Sequence, residues 1–222
     1  MFNFGASIYS MTDKTDKKEH ILNVAEGLFG DKGFDGTSVR DIAHGADVNL
    51  AMISYYFGSK EKLLEALIEY RVGNSYGFLE ELSNDETLDP WEKIDKLVEF
   101  YVDKVLGNLR FHSIMYQQTN NTRSEEIKDL LISIKLRNLG LIKQIITDGQ
   151  QKKLFREVDV VMTIGTLMGT ISSYTQSREI GCRILEIDYS NEEAFRTTLS
   201  PRLKKHLKQL FRAHLDIKSE MK

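Results

Sequence analysis

The chain has 222 residues, a formal net charge of −3, 41% hydrophobic and 28% charged residues, and one cysteine. This composition indicates a globular protein with a sizeable core, and the lack of a long apolar run excludes a membrane-spanning helix. The slightly acidic balance provides no general attraction to nucleic acid or to acidic membranes, and a lone cysteine excludes an intrachain disulfide.

The first ten residues, MFNFGASIYS, lack the basic start and the continuous apolar segment of a signal peptide. We therefore expect a cytoplasmic protein and interpret residues 1–13 as a flexible N-terminal arm, with the alternative that the first ten residues are a start-site artefact before the more typical polar start at Met11. Lys14, Lys17 and Lys18 follow, and this run fits either a basic arm or the solvated start of a helix.

A first helix is predicted by apolar residues at helical spacing that end near Gly33, because glycine favours a helix stop. The apolar residues are Ile21, Val24, Ala25, Leu28 and Phe29. A short second helix is predicted after the capping candidates Thr37 and Ser38, and a turn follows at residues 46–48.

The segment from Asn49 to Phe57 predicts a third helix of about two and a half turns, since a turn takes about 3.6 residues. Ile53 and Phe57 share one side of this helix, and the other side presents Ala51, Met52, Ser54 and Tyr55. Three such helices predict a helix-turn-helix unit whose outward side chains are small enough to enter a major groove. The alternative is that Tyr55, Tyr56 and Phe57 form a core aromatic cluster.

Longer helices are predicted after Ser59, which can cap the first of them. Asp89 with Glu92 and Pro90 between them is a typical helix start. The predicted spans are 60–82, 90–106, 109–119, 123–148, 158–181 and 191–215, the last divided or kinked at Pro201. No alternating strand pattern occurs, so the predicted fold class is all-α, with a small N-terminal and a larger C-terminal helical part.

The N-terminal motifs resemble the TetR/AcrR family of bacterial transcriptional regulators. The resemblance lies in Gly33-Phe34, in the run from Thr37 to Ala43, in Val48, and in Tyr55-Tyr56-Phe57-Gly58-Ser59-Lys60-Glu61. It implies a helix-turn-helix DNA-binding domain over residues 14–58 and a helical effector-binding and dimerisation domain over residues 59–222.

The same resemblance implies how double-stranded DNA would be contacted. Phosphate contacts are implied for Thr37, Ser38, Arg40, Tyr56 and Lys60. Groove contacts are implied for Asn49, Leu50, Ala51, Met52, Ser54 and Tyr55. Two positions depart from the family pattern: Asp47 replaces the usual turn glycine, which aspartate tolerates in left-handed backbone, and Ser54 replaces a frequent tyrosine.

A small-molecule effector site in the C-terminal part is predicted from an apolar and aromatic set with a few polar ends, although each member taken alone is more often a core residue. The set is Phe100, Tyr101, Phe111, Met115, Tyr116, Gln117 and Tyr174. A homodimer interface is predicted from two glycines four residues apart and nearby apolar residues, for which packing within the chain is the alternative. These residues are Val161, Gly165, Leu167, Met168 and Gly169.

The expected function is that of a homodimeric repressor, which binds a palindromic operator and is released by a small molecule. Control of the same fold by a protein partner is one alternative. A helical enzyme is another, but the chain has no phosphate-binding glycine loop, no metal-ligand motif and only scattered histidines. We therefore predict no catalytic residues, no metal and no cofactor.

Overall fold

The computed structural model describes the backbone of residues 5–122 and 124–217, and the side chains of residues 16–73, 75–122 and 124–217. Within these ranges the chain is helical, and an isolated bridge between Phe155 and Asp216 is the one β-type pairing. The all-α fold class is thus confirmed. The helices are α1 (Gly5–Lys32), α2 (Val39–Gly45), α3 (Leu50–Phe57), α4 (Lys60–Asn84), α5 (Pro90–Leu106), α6 (Leu109–Asn121), α7 (Glu125–Gln151), α8 (Val160–Gln176), α9 (Arg178–Leu185) and α10 (Glu192–Leu215).

The chain divides into two compact units. The first contains the described residues up to Gly73 together with Ser113–Leu131, and the second contains Asn74–His112 and the described residues from Ile132 onward. Residues 1–4 of the predicted arm lie outside the described residues, and residues 5–13 form the beginning of α1.

Helices α2 and α3 of the first unit are defined by local signals. Ser38 and Asp41 form a reciprocal capping box at the start of α2, and the Asn49 side chain accepts a hydrogen bond from the backbone N–H of Met52 at the start of α3. In the turn between them Asp47 has a φ of 51°, which confirms the left-handed backbone expected at that position. Gly58, with a φ of 81°, ends α3.

The core of the first unit combines α1, the two short helices and the start of α4. Its buried apolar side chains include Ile21, Leu22, Ala25, Phe29, Ile42, Ile53, Phe57, Leu63, Leu64, Leu67 and Ile68. Polar contacts tie α4 to α1 beside this core. Arg71 Nε donates to the buried Glu26 carboxylate at 2.6 Å and Arg71 Nη2 to Asn23 at 2.8 Å, while the Tyr70 hydroxyl donates to Glu19.

The second unit is organised around the packing of α5 against α10. Three ion pairs connect the two helices: Asp95–Arg212 at 3.1 Å, Glu99–Lys208 at 2.5 Å and Asp103–Lys204 at 2.6 Å. Residue numbers rise along α5 as they fall along α10, so the helices are antiparallel. The shared core beneath them includes Leu97, Val98, Tyr101, Leu203, Leu207 and Phe211.

The segment between α7 and α8 folds onto the end of α10. The centres of the Phe155 and Trp91 rings lie 4.6 Å apart, and the Arg212 guanidinium lies 4.5 Å from the centre of the Trp91 ring. Arg156 donates to the backbone carbonyls of Leu215 and His214 at 2.9 and 2.6 Å.

Two predicted helix spans need correction. The span 158–181 is two helices, because α8 ends at Gln176 and α9 begins at Arg178. The span 191–215 is not divided, because α10 continues through Pro201. Among the described residues, no helix has the length and apolarity needed to cross a bilayer.

Candidate DNA-binding surface

Helix α3 has one buried and one exposed side. Ile53 and Phe57 are 1% and 8% exposed, as the helical period predicted, and Tyr55 is 72% exposed. The other predicted groove residues are also accessible: Asn49, Leu50, Ala51 and Ser54 are exposed, and Met52 is half-buried. The outward side of α3 therefore offers a hydroxyl, a phenol and small apolar groups to a partner.

The aromatic run Tyr55-Tyr56-Phe57 is not a single core cluster. Phe57 belongs to the core, Tyr55 is exposed, and Tyr56 is half-buried between them, with ring centres 5.2 Å from Tyr55 and 6.2 Å from Phe57. Tyr55 meets Tyr56 edge to face, an arrangement that holds both rings at the surface of the helix.

The start of α2 presents polar groups beside α3. Ser38 and Arg40 are exposed. The Ser38 hydroxyl donates to Asp41 at 2.6 Å, and hydrogen bonds from the Ser38 side chain and backbone hold the pKa of the Asp41 carboxyl below its usual range. Because Asp41 stays ionised, it fixes Ser38 at the helix start and places a negative charge near any phosphate there.

Thr37 corrects one sequence prediction. It is 1% exposed, and its hydroxyl donates to the backbone carbonyls of Gly33 at 2.8 Å and Leu28 at 3.1 Å. A buried hydroxyl with these partners stabilises the turn after α1, so its side chain is not a phosphate donor in this conformation.

Lys60 has a tertiary role that the sequence motif did not indicate. Its ammonium group donates to the carbonyls of Phe34 at 2.8 Å and Thr37 at 2.9 Å, and it lies 4.3 Å from the centre of the Phe34 ring. The first residue of α4 thus holds the turn that leads into α2. Of the lysines in the possible basic arm, Lys18 lies 5.7 Å from the centre of the Phe57 ring, and the side chain of Lys14 is outside the described residues.

This arrangement of short capped helices matches known proteins. The family model for bacterial regulatory proteins of the tetR family matches residues 21–67. YttP of Bacillus subtilis, a probable HTH-type transcriptional regulator, is 32% identical over 141 residues, which are 63% of this chain and 68% of YttP. The chain belongs to the TetR family. It is a transcriptional regulator of that family, with the helix-turn-helix domain at its N-terminus.

Other transcriptional regulators match more of the chain. The HTH-type transcriptional repressor NicS of Pseudomonas putida is 29% identical over 186 residues, covering 80% of this chain and 84% of NicS. The crystal structure of the regulator FadR from Bacillus subtilis, in complex with stearoyl-CoA, has a TM-score of 0.66 at 20% identity and covers 85% of this chain and 96% of FadR. The likeness to FadR, which extends over 85% of this chain, shows that the helical C-terminal part shares the fold of FadR.

The predicted effector residues divide between the two units of this TetR-family chain. Phe100, Tyr101, Phe111 and Tyr174 belong to the second unit, and Met115, Tyr116 and Gln117 belong to the first. Tyr101 and Phe111 are 9% and 2% exposed, Phe100, Met115 and Tyr174 are half-buried, and Tyr116 and Gln117 are exposed. An enclosed ligand site needs side chains that are at least partly buried. Tyr116 and Gln117 do not meet this condition, and the other five residues do.

A polar cleft of about 540 Å³ lies in the second unit, and none of the seven predicted effector residues lines it. Its lining includes Ser83, Lys93, Lys143, Gln144, Asp148 and Lys152. The Lys93 side chain is buried and donates to the Ser83 carbonyl at 2.7 Å, so this lysine caps the end of α4. Sequence reasoning missed the cleft, because its lining comes from polar residues without a motif.

The predicted dimer residues on α8 lie on different sides of the helix. Val161 is 65% exposed, and Gly165 and Gly169 are exposed with nothing described within 4 Å of the position that a Cβ would occupy. Leu167, in contrast, is fully buried in the core of its own chain, and Met168 packs partly against that core. Leu167 is therefore a core residue and not an interface residue.

Proposed function

We propose that this TetR-family regulator is a homodimeric repressor that binds a near-palindromic operator and is released by a small organic molecule. The observation that carries the proposal is the two-sided α3, with Ile53 and Phe57 in the core and Ser54 and Tyr55 turned outward. A helix held in this way keeps its reading side in a fixed orientation, which sequence recognition in the major groove requires.

The proposed roles follow from the side chains. Tyr55, Ser54 and Met52 are the base-edge residues, and Asn49, Leu50 and Ala51 border them at the N-terminal end that enters the groove. Arg40 and Tyr56 are proposed to contact phosphates, and Ser38 is proposed to do so by turning its hydroxyl from Asp41 to the phosphate when DNA binds. Lys60 is proposed to add a third ammonium N–H to a phosphate while its other two hold the turn.

A dimer is proposed because α8 and α9 carry exposed apolar side chains beside the two open glycines. Val161, Met162, Ile180 and Ile184 are each at least 60% exposed. A second copy of the same surface would cover these groups, and the glycines would allow a close approach of two helices.

Release by an effector is proposed for the helical C-terminal part, which we assign to residues 59–222, with residues 14–58 as the DNA-binding domain. NicS is named a repressor, and FadR holds stearoyl-CoA, so repression and small-molecule binding both occur among proteins similar to this one. An effector would release DNA by binding more tightly to a conformation whose two reading helices are wrongly spaced.

Selection of binding sites from random duplex DNA tests the proposal. The expected result is a near-palindrome whose half-site centres lie about one helical turn, roughly 34 to 36 Å, or a multiple of it, apart. Enrichment of a single unrepeated site would contradict the dimeric repressor, and absence of any enriched site would contradict sequence-specific binding.

A further inference from the structure

Lys104, near the end of α5, is a half-buried amine without an acidic partner among the described residues. Its ammonium group donates to the hydroxyl of Ser75, which is 4% exposed, and lies 5.6 Å from the centre of the Phe100 ring. Burial lowers the pKa of Lys104 to about 8, and no nearby carboxylate contributes to that shift. A half-buried ammonium group whose one hydrogen-bond partner in the protein is a hydroxyl is incompletely compensated for the loss of water around it.

His112, on α6, supplies a second incomplete polar group in the same unit. Its Nε2 atom is buried and has no hydrogen-bond partner within the described part of the chain. Burial first, and then the charge of Lys104, lower the pKa of His112 to about 4, while a hydrogen bond to the Lys104 backbone opposes the shift. The imidazole is therefore neutral at physiological pH and lies close enough to Lys104 to be influenced by its charge.

Aromatic rings border these two polar groups. Phe100 stacks on Phe78, with ring centres 4.2 Å apart, and meets the buried Tyr101 edge to face at 5.3 Å. Phe111 lies 5.6 Å from the His112 ring. An ammonium group without a counter-charge and an imidazole nitrogen without a hydrogen-bond partner, beside aromatic rings, suit an apolar molecule with one acidic end.

We propose that Lys104 Nζ and His112 Nε2 bind the carboxylate of an organic acid whose apolar body lies along the Phe100 ring. The site lies among the residues of the proposed effector region, and the assignment rests on that function. A carboxylate would provide the negative charge that Lys104 lacks and accept its hydrogen bonds. It would also favour protonation of His112, which then donates from Nε2.

The test is a titration of the full-length protein, without DNA, with matched pairs of an acid and its neutral amide. Benzoate with benzamide and octanoate with octanamide cover aromatic and aliphatic bodies. Calorimetry is expected to show that at least one acid binds more tightly than its amide. Lys104→Met is expected to lower the affinity for that acid by about tenfold to a hundredfold, the usual loss for a hydrogen bond to a charged group. The amide is expected to be nearly unaffected.

Two matched variants identify the position of the bound acid. Lys96→Met changes an exposed lysine on the same helix and is expected to leave the affinity unchanged. Lys143→Met changes an exposed lysine of the polar cleft. If Lys143→Met lowers the affinity for the acid and Lys104→Met does not, the proposal is overturned. Equal binding of every acid and its amide would overturn it as well.

The ligand-free protein provides a further readout. Lys104→Met is expected to raise the melting temperature, because a residue that serves a ligand is often unfavourable without it. A lowered melting temperature together with unchanged acid binding would identify Lys104 as purely structural. His112→Gln tests the same site by a different change and is also expected to lower the affinity for the acid.

These outcomes are separate from those for the repressor function. Failure of acid binding overturns the carboxylate site and leaves operator recognition unaffected. An acid that binds through Lys104 without changing operator affinity would support the site and contradict release by an effector.

Discussion

The Lys60 ammonium group lies 2.8 Å from the carbonyl oxygen of Phe34 and 4.3 Å from the centre of the same residue's ring. One side chain at the start of α4 thus satisfies a backbone acceptor and packs on an aromatic face in the turn that precedes α2. The contact therefore holds the turn that leads into α2, and α2 packs against α3.

Loss of the Lys60 contact is expected to destabilise the protein as well as weaken DNA binding. Lys60→Met should lower the free energy of unfolding by about 1.5 to 3 kcal/mol, the range for hydrogen bonds to charged groups. Urea denaturation measures this change. Lys62→Met, which removes an exposed lysine paired with Glu65, is the control and should leave the free energy of unfolding nearly unchanged, because exposed ion pairs contribute little. Unchanged stability of Lys60→Met with a reduced salt dependence of DNA binding would indicate a phosphate role alone.

Substitutions on the outer side of α3 should change which sequence is bound. Ser54→Ala or Tyr55→Ala should cost about 1 to 3 kcal/mol at the matching base pair, because base contacts carry discrimination. Arg40→Ala should instead lower the affinity for all DNA sequences alike. It should also reduce by about one the slope of the logarithm of the binding constant against the logarithm of the salt concentration. Binding titrations on the selected operator and on scrambled DNA, at several salt concentrations, distinguish the two effects. Equal losses on both DNAs for Ser54 and Tyr55 would contradict their reading role.

The pair of Arg71 with the buried Glu26 should behave as a coupled unit. Arg71→Met should destabilise by about 2 to 3 kcal/mol, since it leaves a buried carboxylate without its cation; the loss is smaller than for a fully buried pair because the Arg71 side chain is 28% exposed. The double variant Glu26→Met/Arg71→Met should recover part of the loss, because no buried charge remains. A double-mutant cycle from urea unfolding measures the coupling. Additive losses would mean that the two side chains act independently.

The α8 surface should determine the oligomeric state. Met162→Glu combined with Val161→Glu should convert the proposed dimer to a monomer, because charge repulsion and desolvation oppose pairing of two identical surfaces. Sedimentation velocity at micromolar concentration measures this. Leu136→Glu, at a leucine of α7 that is 63% exposed, is the control and should remain dimeric. A wild-type monomer would contradict the dimer directly.

The pH dependence of stability should carry the signature of Lys104 and His112. The Lys104 pKa is lowered from 10.5 to about 8, so between these values the unfolded state binds more protons and stability should rise with pH. The His112 pKa is lowered from 6.5 to about 4, so stability should fall as pH decreases through that window. Urea unfolding across pH should show a flatter alkaline slope in Lys104→Met and a flatter acid slope in His112→Gln. Slopes equal to those of wild type would contradict both assignments.

The parts of the fold that could be predicted from the sequence are those determined by neighbouring residues. Asp89, Pro90 and Glu92 define the start of α5 at the predicted residue. The turn at Asp47 has the positive φ expected for left-handed backbone. Caps and turns involve contacts three or four residues apart, so a linear pattern contains the information. The two sides of α3 followed from its helical period for the same reason.

The parts that could not be predicted depend on distant contacts. Thr37 looks like an exposed capping residue in the sequence, but its hydroxyl bonds to Leu28 across the turn. Leu167 fits an interface by composition and is instead buried by its own chain. Lys104 and His112 belong to no motif, and a lysine on an otherwise apolar helix side was the one available signal.

Trp91 is the only tryptophan of the chain, and its ring contacts Phe155 and Arg212 at the junction of α5, the α7–α8 segment and the end of α10. Its fluorescence therefore arises from one known place. Loosening of the end of α10 would move the guanidinium from the indole and admit water, which shifts emission to longer wavelength. The chain thus carries an intrinsic optical probe that can follow the docking of its C-terminal helix without any label.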